Sequence, residues 1–295
     1  MKIAITGASG YIGSALSNHL AQSHQVVGIC RQAIPASAQY KVLDTYNSLG
    51  PEDLSGVDVL IHAAGVADTA AEQDLLTQGN VETSSTIARV CTQAQVPLIM
   101  HVSSVKAAGE GNVGADIPAS PETPYGKSKL LAEKIIDDQL TASVSRVAHI
   151  RIPMVYSAEA HNSFTKLVAI SRSPLPLPIK ALTGSRSYCA VENLLNFVEV
   201  LLGYPESAGV YYVADASPLP LHQLLGSLAD CQGNVLRDLP VSGAVLEKLV
   251  GWVAPNLSRQ LFSDAEVNID ETRRVLPDWV PLTTEVYLGR MFGEK

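Results

Sequence analysis

The sequence is short of cysteine, tryptophan, phenylalanine and positive charge. Its four cysteines, Cys30, Cys91, Cys189 and Cys231, lie far apart, with no CxxC pair and no His and Cys grouped at metal-ligand spacing. This argues against a disulfide-stapled scaffold or a zinc site and fits a reducing compartment, so a cytoplasmic protein without a metal is expected. Lys and Arg number 21 against 29 Asp and Glu, a formal charge of -8. Such a surface has no electrostatic reason to coat a nucleic-acid backbone, and leaves room only for a local basic pocket. Charge is missing altogether from Ile3 to Cys30, but Thr6, Gly7, Ser9, Gly10, Asn18, His19 and Gln22 interrupt the apolar residues there. Neither a membrane span nor a leader peptide is therefore expected.

Apolar residues make up 46% of the chain against 17% charged, which excludes disorder, and 295 residues suit two unequal parts sharing an interface. The start reads as a βαβ unit: a strand at Lys2 to Thr6, a glycine-rich turn at Gly7 to Gly13, a helix from Tyr11 to Gln22, and a strand at Gln25 to Cys30. Buried strands are predicted at Val57 to His62, Leu98 to Ser103 and Val147 to Ile152, with helices at Asn80 to Gln93 and Tyr125 to Gln139 between them. This alternation predicts an α/β fold, a Rossmann-type doubly wound parallel sheet with ligands at the carboxyl ends of its strands. Residues 1–156 are read as the dinucleotide-binding domain. Beyond it prolines cluster at Ser173 to Pro178 and irregular pieces lengthen, so residues 157–295 are expected to form a smaller C-terminal substrate-binding domain. A helix at Leu194 to Leu202 and a strand at Val210 to Val213 are predicted there, with residues 188–203 packing back on the first domain.

The turn Thr6-Gly7-Ala8-Ser9-Gly10-Tyr11-Ile12-Gly13 follows a strand and opens a helix, so its backbone N–H groups can face a diphosphate. Where an NAD site usually carries an acidic residue at the end of the second strand, Cys30 stands, followed by Arg31. A cation there suits a 2′-phosphate, so NADP is favoured, with NAD as the alternative. Asp44 is placed to accept from the adenine amino group, and Ala63, Ala64 and Gly65 let the cofactor lie close. His62 is read as a satisfied core residue.

Tyr125 and Lys129 are four apart at the start of a helix and share a face. An ammonium near a phenol lowers its pKa and suits it to acid–base work near neutral pH. Ser103 and Ser104 end the preceding strand, where a hydroxyl can hold a substrate oxygen while Tyr125 exchanges its proton.

At these residues the sequence resembles the extended short-chain dehydrogenase/reductase family, the NAD-dependent epimerase/dehydratase group acting on nucleotide sugars. The likeness rests on TGASGYIG at 6 to 13, HAAG at 62 to 65, NVET at 80 to 83, VSSVKAAGEG at 102 to 111, TPYGKSKLLAEK at 123 to 134 and RIPMVYS at 151 to 157. It implies Ser104, Tyr125 and Lys129 as the catalytic set, Lys129 also holding the nicotinamide ribose, and Asn80 and Pro153 on the cofactor side. PLPLP at 174 to 178 and GSRSYCAVENL at 184 to 194 resemble the branch that builds bacterial surface polysaccharides. That likeness implies Arg186 and Asn162 at a substrate diphosphate, Ser104 and Lys106 near the sugar, a nucleoside diphosphate sugar as substrate with UDP favoured, and a homodimer. The dimer would join the two helices that carry Ile87, Val90 and Cys91, and Leu130, Leu131, Ile135 and Ile136. Ser157 and Met154 depart from the pattern at the sugar pocket.

Family 4,6-dehydratases carry an Asp-Glu pair after the catalytic hydroxyl; Val105 and Lys106 stand here and cannot replace it, nor do they offer the thiol of a reductive epimerase. What remains is reduction of a 4-keto sugar, favoured by Arg31, or 4-epimerisation with a retained NAD. A cofactor-sensing regulator without turnover is the reading from another class, and an intact Ser104, Tyr125 and Lys129 set argues against it.

Overall fold

The computed structural model describes residues 1–32, 39–68, 71–141, 143–160, 163–204, 206 and 208–293. The first half runs β1 (Lys2–Thr6), α1 (Tyr11–Leu20), β2 (Gln25–Cys30), β3 (Gln39–Val42), β4 (Val59–His62), α2 (Gln73–Leu76), α3 (Thr83–Ala94), β5 (Leu98–Ser104), α4 (Pro124–Leu140) and β6 (Arg146–Ile152). There follow β7 (Met154–Tyr156), α5 (Ser163–Ser171), β8 (Ser185–Arg186), β9 (Tyr188–Ala190), α6 (Val191–Leu202), β10 (Gly209–Tyr212) and β11 (Leu219–Pro220). Helices α7 (Leu221–Cys231), α8 (Gly243–Val253), α9 (Pro255–Phe262), α10 (Asp270–Val275) and α11 (Thr284–Gly293) complete it.

Seven strands form one parallel sheet in the order β10-β6-β5-β4-β1-β2-β3. The order reverses between β1 and β4, and it is beside such a reversal that a doubly wound sheet opens a crevice for ligands. Side chains alternate across the sheet. Ile3, Ile5, Ile61, Met100 and Ile150 pack on one face with Leu16 and Leu20 of α1 and Leu194, Phe197 and Leu201 of α6. Ala4, Leu60, Ile99 and Val147 pack on the other with Ile87 and Val90 of α3 and Ile136 of α4. A third apolar cluster, including Tyr156, Phe164, Tyr188, Leu224 and Leu288, lies in the C-terminal half.

Three elements differ from expectation. Strand β3 has no apolar alternation because all four residues of QYKV are exposed or half-buried at the sheet edge. The helix predicted from Asn80 begins at Gln73, and a π-helical stretch, Thr77–Glu82, joins α2 to α3. The polar run containing Gly79 hides that stretch in the sequence, while its wider turn carries Asn80 to an almost fully buried position. Ile87, Val90 and Cys91, read as surplus apolar surface on α3, are buried within this chain; on α4 Ile136 is buried too, whereas Leu131 is 47% exposed.

Candidate active site

Thr6 ends β1, and its Oγ1 lies 2.7 Å from His62 Nδ1, tying together the carboxyl ends of the two strands at the order reversal. Gly7 follows at φ +71°, and a Cβ there would stand 2.7 Å from Ala63 C and Ala64 N. At Gly13 a Cβ would stand 2.1 Å from the Gly7 carbonyl oxygen, so both positions require glycine. Gly10 is the N-cap of α1 with no side-chain cap and no acidic residue in the first turn. The first N–H groups of Tyr11, Ile12 and Gly13 thus keep their capacity for an anion beside the exposed Ser9 and Gly10, an arrangement that fits a dinucleotide diphosphate.

A cavity of about 370 Å³ is lined by Ser9, Arg31, Gln32 and Asp44. A second, of about 190 Å³, shares Arg31 and Asp44 and reaches Gly65, Val66 and Gln78. Together they fit the adenosine end of the cofactor. Cys30 is buried at the end of β2, leaving the exposed Arg31 as the charged residue at that strand end. Asn80 does not point into this space: its side chain accepts from Val66 N at 2.8 Å and donates to Val66 O at 3.1 Å and Ser128 Oγ at 2.9 Å, so it positions the loop after β4. Pro153 is half-buried just past β6.

Thr123 caps α4, its Oγ1 accepting from Gly126 N at 3.1 Å, and Pro124 fixes the first turn. This places Tyr125 and Lys129 one turn apart on the buried face. The Tyr125 phenol hydrogen-bonds the Ser104 side chain at the end of β5, and Ser104 Oγ accepts from Lys106 N at 3.2 Å. Burial raises the phenol's pKa and the Ser104 bond opposes this. The lowered phenol expected from the sequence is thus not found, because desolvation dominates and the Lys129 ammonium turns toward β5. Its Nζ donates to Val102 O at 2.9 Å and lies 3.4 Å from His101 Nε2. Burial brings the Lys129 pKa down to about 8, with Glu133 acting in the opposite sense.

Behind these residues lies a polar layer that sequence reasoning missed. Register sets His62, His101 and His149 side by side on β4, β5 and β6. His62 stacks on His101 at 5.4 Å and uses its other nitrogen on Ser84 Oγ at 3.0 Å, so it is the satisfied core residue the sequence suggested. His101 Nδ1 lies 3.0 Å from His149 Nδ1, and His149 Nε2 lies 3.1 Å from Asp137 Oδ1. One step toward the active site, Arg151 Nε and Nη2 donate to Glu133 Oε1 and Oε2 at 3.0 and 2.6 Å, Ser103 Oγ donates to Glu133, and Arg151 Nη1 donates to Tyr212 Oη at 2.7 Å. A lone histidine or glutamate within an apolar run gives no sign of this; only the strand register reveals it.

On the substrate side, Lys106 Nζ pairs with Glu110, which also accepts from Thr123 Oγ1 at 2.9 Å. The pair braces the loop in front of Tyr125. Arg186 donates from Nε to Gln260 O at 2.9 Å and from Nη2 to Arg259 O and Ser263 O at 3.0 and 3.3 Å, carbonyls at the end of α9. Asn162 lies outside the described residues. Among the described residues no helix is long and apolar enough to cross a membrane.

A nucleotide cradle at the switch point of a parallel sheet, facing a buried Ser-Tyr-Lys group, defines a Rossmann-fold dinucleotide-dependent enzyme. Residues 3–214 match the model of the NAD dependent epimerase/dehydratase family, and the chain belongs to that family, whose members are NAD-dependent enzymes acting on nucleotide sugars. It is 27% identical to a UDP-glucose 4-epimerase of Vibrio cholerae over 302 residues, covering 96% of this chain and 91% of that one. It is 24% identical over 250 residues to a 4-hydroxy-2-methyl-3-oxo-4-farnesyl-3,4-dihydroquinoline-1-oxide ketoreductase of Stigmatella aurantiaca, covering 79% and 74%. Among solved structures, UDP-glucuronic acid 4-epimerase from Bacillus cereus in complex with NAD superimposes with a TM-score of 0.77 at 18% identity, over 99% of this chain and 100% of that one.

Proposed function

We propose that the protein reduces the 4-keto group of a nucleoside diphosphate sugar, a UDP-sugar first among them, with NADPH as the preferred cofactor. The observation that carries this reading is the cavity of Ser9, Arg31, Gln32 and Asp44: the Arg31 guanidinium just past β2 and the Ser9 hydroxyl of the turn after β1 suit a 2′-phosphate, and a consumed cofactor suits a reductase. The bound dinucleotide supplies the hydride. Ser104 Oγ holds the carbonyl oxygen, Tyr125 Oη gives it a proton, and the Lys129 ammonium favours the phenolate that is left. Glu133 and Arg151 fix the back of α4 against β5 and β6, so that Tyr125 and Lys129 hold their places.

The second reading, 4-epimerisation with retained NAD, is favoured by the Vibrio cholerae relative and by the family's NAD dependence. Incubation with NADPH and a panel of UDP-4-keto sugars separates the two. One NADPH lost at 340 nm per alcohol formed is expected. Inversion of UDP-glucose or UDP-N-acetylglucosamine at C4 with no net cofactor loss would replace the first reading by the second. The same reading includes a homodimer through α3 and α4, now resting on the exposed Leu131; a monomer by light scattering at tens of micromolar would reject it.

A further inference from the structure

We propose that His101, His149 and Asp137 form a proton relay joining the Lys129 ammonium to solvent on the outer side of α4. The relay rests on the reductase reading, in which every turnover takes up one proton; an epimerase returns its proton and needs none.

The path is continuous. Lys129 Nζ to His101 Nε2 is 3.4 Å, His101 Nδ1 to His149 Nδ1 is 3.0 Å, and His149 Nε2 to Asp137 Oδ1 is 3.1 Å. It begins where solvent is excluded, since Tyr125 is 8% and Lys129 6% exposed, and ends at a carboxylate whose side chain is 56% exposed. His101 and His149 are themselves fully enclosed, at 0% and 1%. Each ring presents one nitrogen inward and one outward to an exchangeable partner, the arrangement by which an imidazole passes a proton. His62 shows the contrast: its nitrogens meet Thr6 Oγ1 and Ser84 Oγ, so it stacks on His101 and leads nowhere. Among the described residues no group of three or more His, Cys, Asp and Glu side chains is arranged to hold a metal ion, which removes the competing use of a histidine cluster.

The charged and titratable groups around the path are Lys129, Glu133 and Asp137 on α4, His62 on β4 and Arg151 on β6. Burial and the Lys129 charge keep His101 well below its ordinary pKa, so the ring is neutral between hops. A solvent proton, taken up beside Asp137, binds His149 Nε2; the Nδ1 hydrogen of His149 passes to His101 Nδ1; the Nε2 hydrogen of His101 passes to Lys129 Nζ, turning the amine into the ammonium. Each ring gains one N–H bond and loses one and is left as the opposite neutral tautomer, and exchange with water, in which one ring nitrogen loses a proton as the other gains one, restores the start before the next turnover. Reprotonation of Tyr125 Oη from Lys129 then needs one bridging hydroxyl or water.

The test begins on the cofactor-free protein with 15N-labelled lysine and histidine. A scalar coupling between the Nδ1 atoms of His101 and His149 is expected, together with exchange of the Lys129 ammonium hydrogens with solvent that slows at least about 10-fold in His149→Gln and in the surface variant Asp137→Asn. Unchanged exchange in both variants overturns the relay whatever the reaction is. In turnover with a keto sugar, the same variants should lower kcat about 10-fold at constant KM and raise the solvent deuterium isotope effect, with imidazole restoring His149→Ala. Slowed exchange with unaltered kcat and isotope effect overturns the relay's part in catalysis. If the wild type reduces no keto sugar, the reductase reading fails while the exchange measurement still decides the relay.

Discussion

The Lys129 ammonium donates to the Val102 carbonyl oxygen at 2.9 Å, so a helix side chain is pinned to the strand whose end carries Ser104. The Ser104 hydroxyl and the cation are thereby held by one local constraint, and Tyr125, one turn earlier on α4, hydrogen-bonds that hydroxyl. Tyr125→Phe should leave dinucleotide affinity nearly unchanged and lower turnover by at least about 100-fold, the loss expected when a general acid is removed. Titration of the cofactor by fluorescence beside steady-state rates checks both halves, and near-wild-type turnover would sink the assignment.

Arg31→Asp should reverse a preference for NADP over NAD, since it exchanges a phosphate partner for a carboxylate suited to the ribose diol. Dissociation constants of both cofactors in both proteins decide it. An equal loss of both affinities, or a wild-type preference for NAD, would defeat the cofactor assignment.

Much of this site was legible because glycine turns and a helical i, i+4 pair are local patterns. Gly7 and Gly13 announce a close turn whatever the rest of the chain does, and Tyr125 with Lys129 needs only a helix to share a face. The polar layer is different in kind. His62, His101 and His149 are 39 and 48 residues apart in sequence and meet only through the register of three parallel strands. Arg186 is named by the family likeness, but its bonds to the end of α9 escaped a sequence reading, because they come from carbonyls more than 70 residues away that carry no side-chain signature.

Glu133 and Arg151 form a buried bidentate pair, and removing one partner leaves an uncompensated charge in the core. Arg151→Met should cost about 3 to 5 kcal/mol, while Arg151→Met combined with Glu133→Leu should cost less than that single change. Urea unfolding of the wild type, both single variants and the double variant tests this; a double variant whose loss equals the sum of the two single losses would show that the pair is not coupled.

Acid should destabilise the fold in a particular window. Burial holds His62 down from 6.5 to about 3 and His101 well below 6.5, so the folded state keeps both rings neutral where the unfolded chain protonates them. The unfolded state then binds more protons, and stability that is complete above pH 6.5 falls as the pH is lowered through 6.5, for His62 as far as about 3. The urea midpoint should drop between pH 7 and pH 5, and His62→Gln should make that drop shallower. A midpoint independent of pH in this range would contradict the buried neutral state.

Arg186 faces two demands that a variant can separate. Its guanidinium donates to the carbonyls of Arg259, Gln260 and Ser263, where the end of α9 concentrates negative partial charge, so the residue already holds a helix in place. The proposed substrate adds a second demand, because an acidic protein that binds a diphosphate needs a local cation and arginine offers a planar fork of donors. If both roles are real, Arg186→Ala should weaken UDP binding to the cofactor-loaded protein by about 1.5 to 3 kcal/mol, roughly ten- to 150-fold, and should also lower the melting temperature. Arg186→Lys keeps the charge without the fork, and should recover part of the UDP affinity and little of the stability. Calorimetric titration with UDP, paired with thermal unfolding of each variant, reads the two quantities independently. Lowered stability with unchanged UDP affinity would assign Arg186 to α9 alone, and absence of UDP binding by the wild type would reject a UDP-sugar as the substrate.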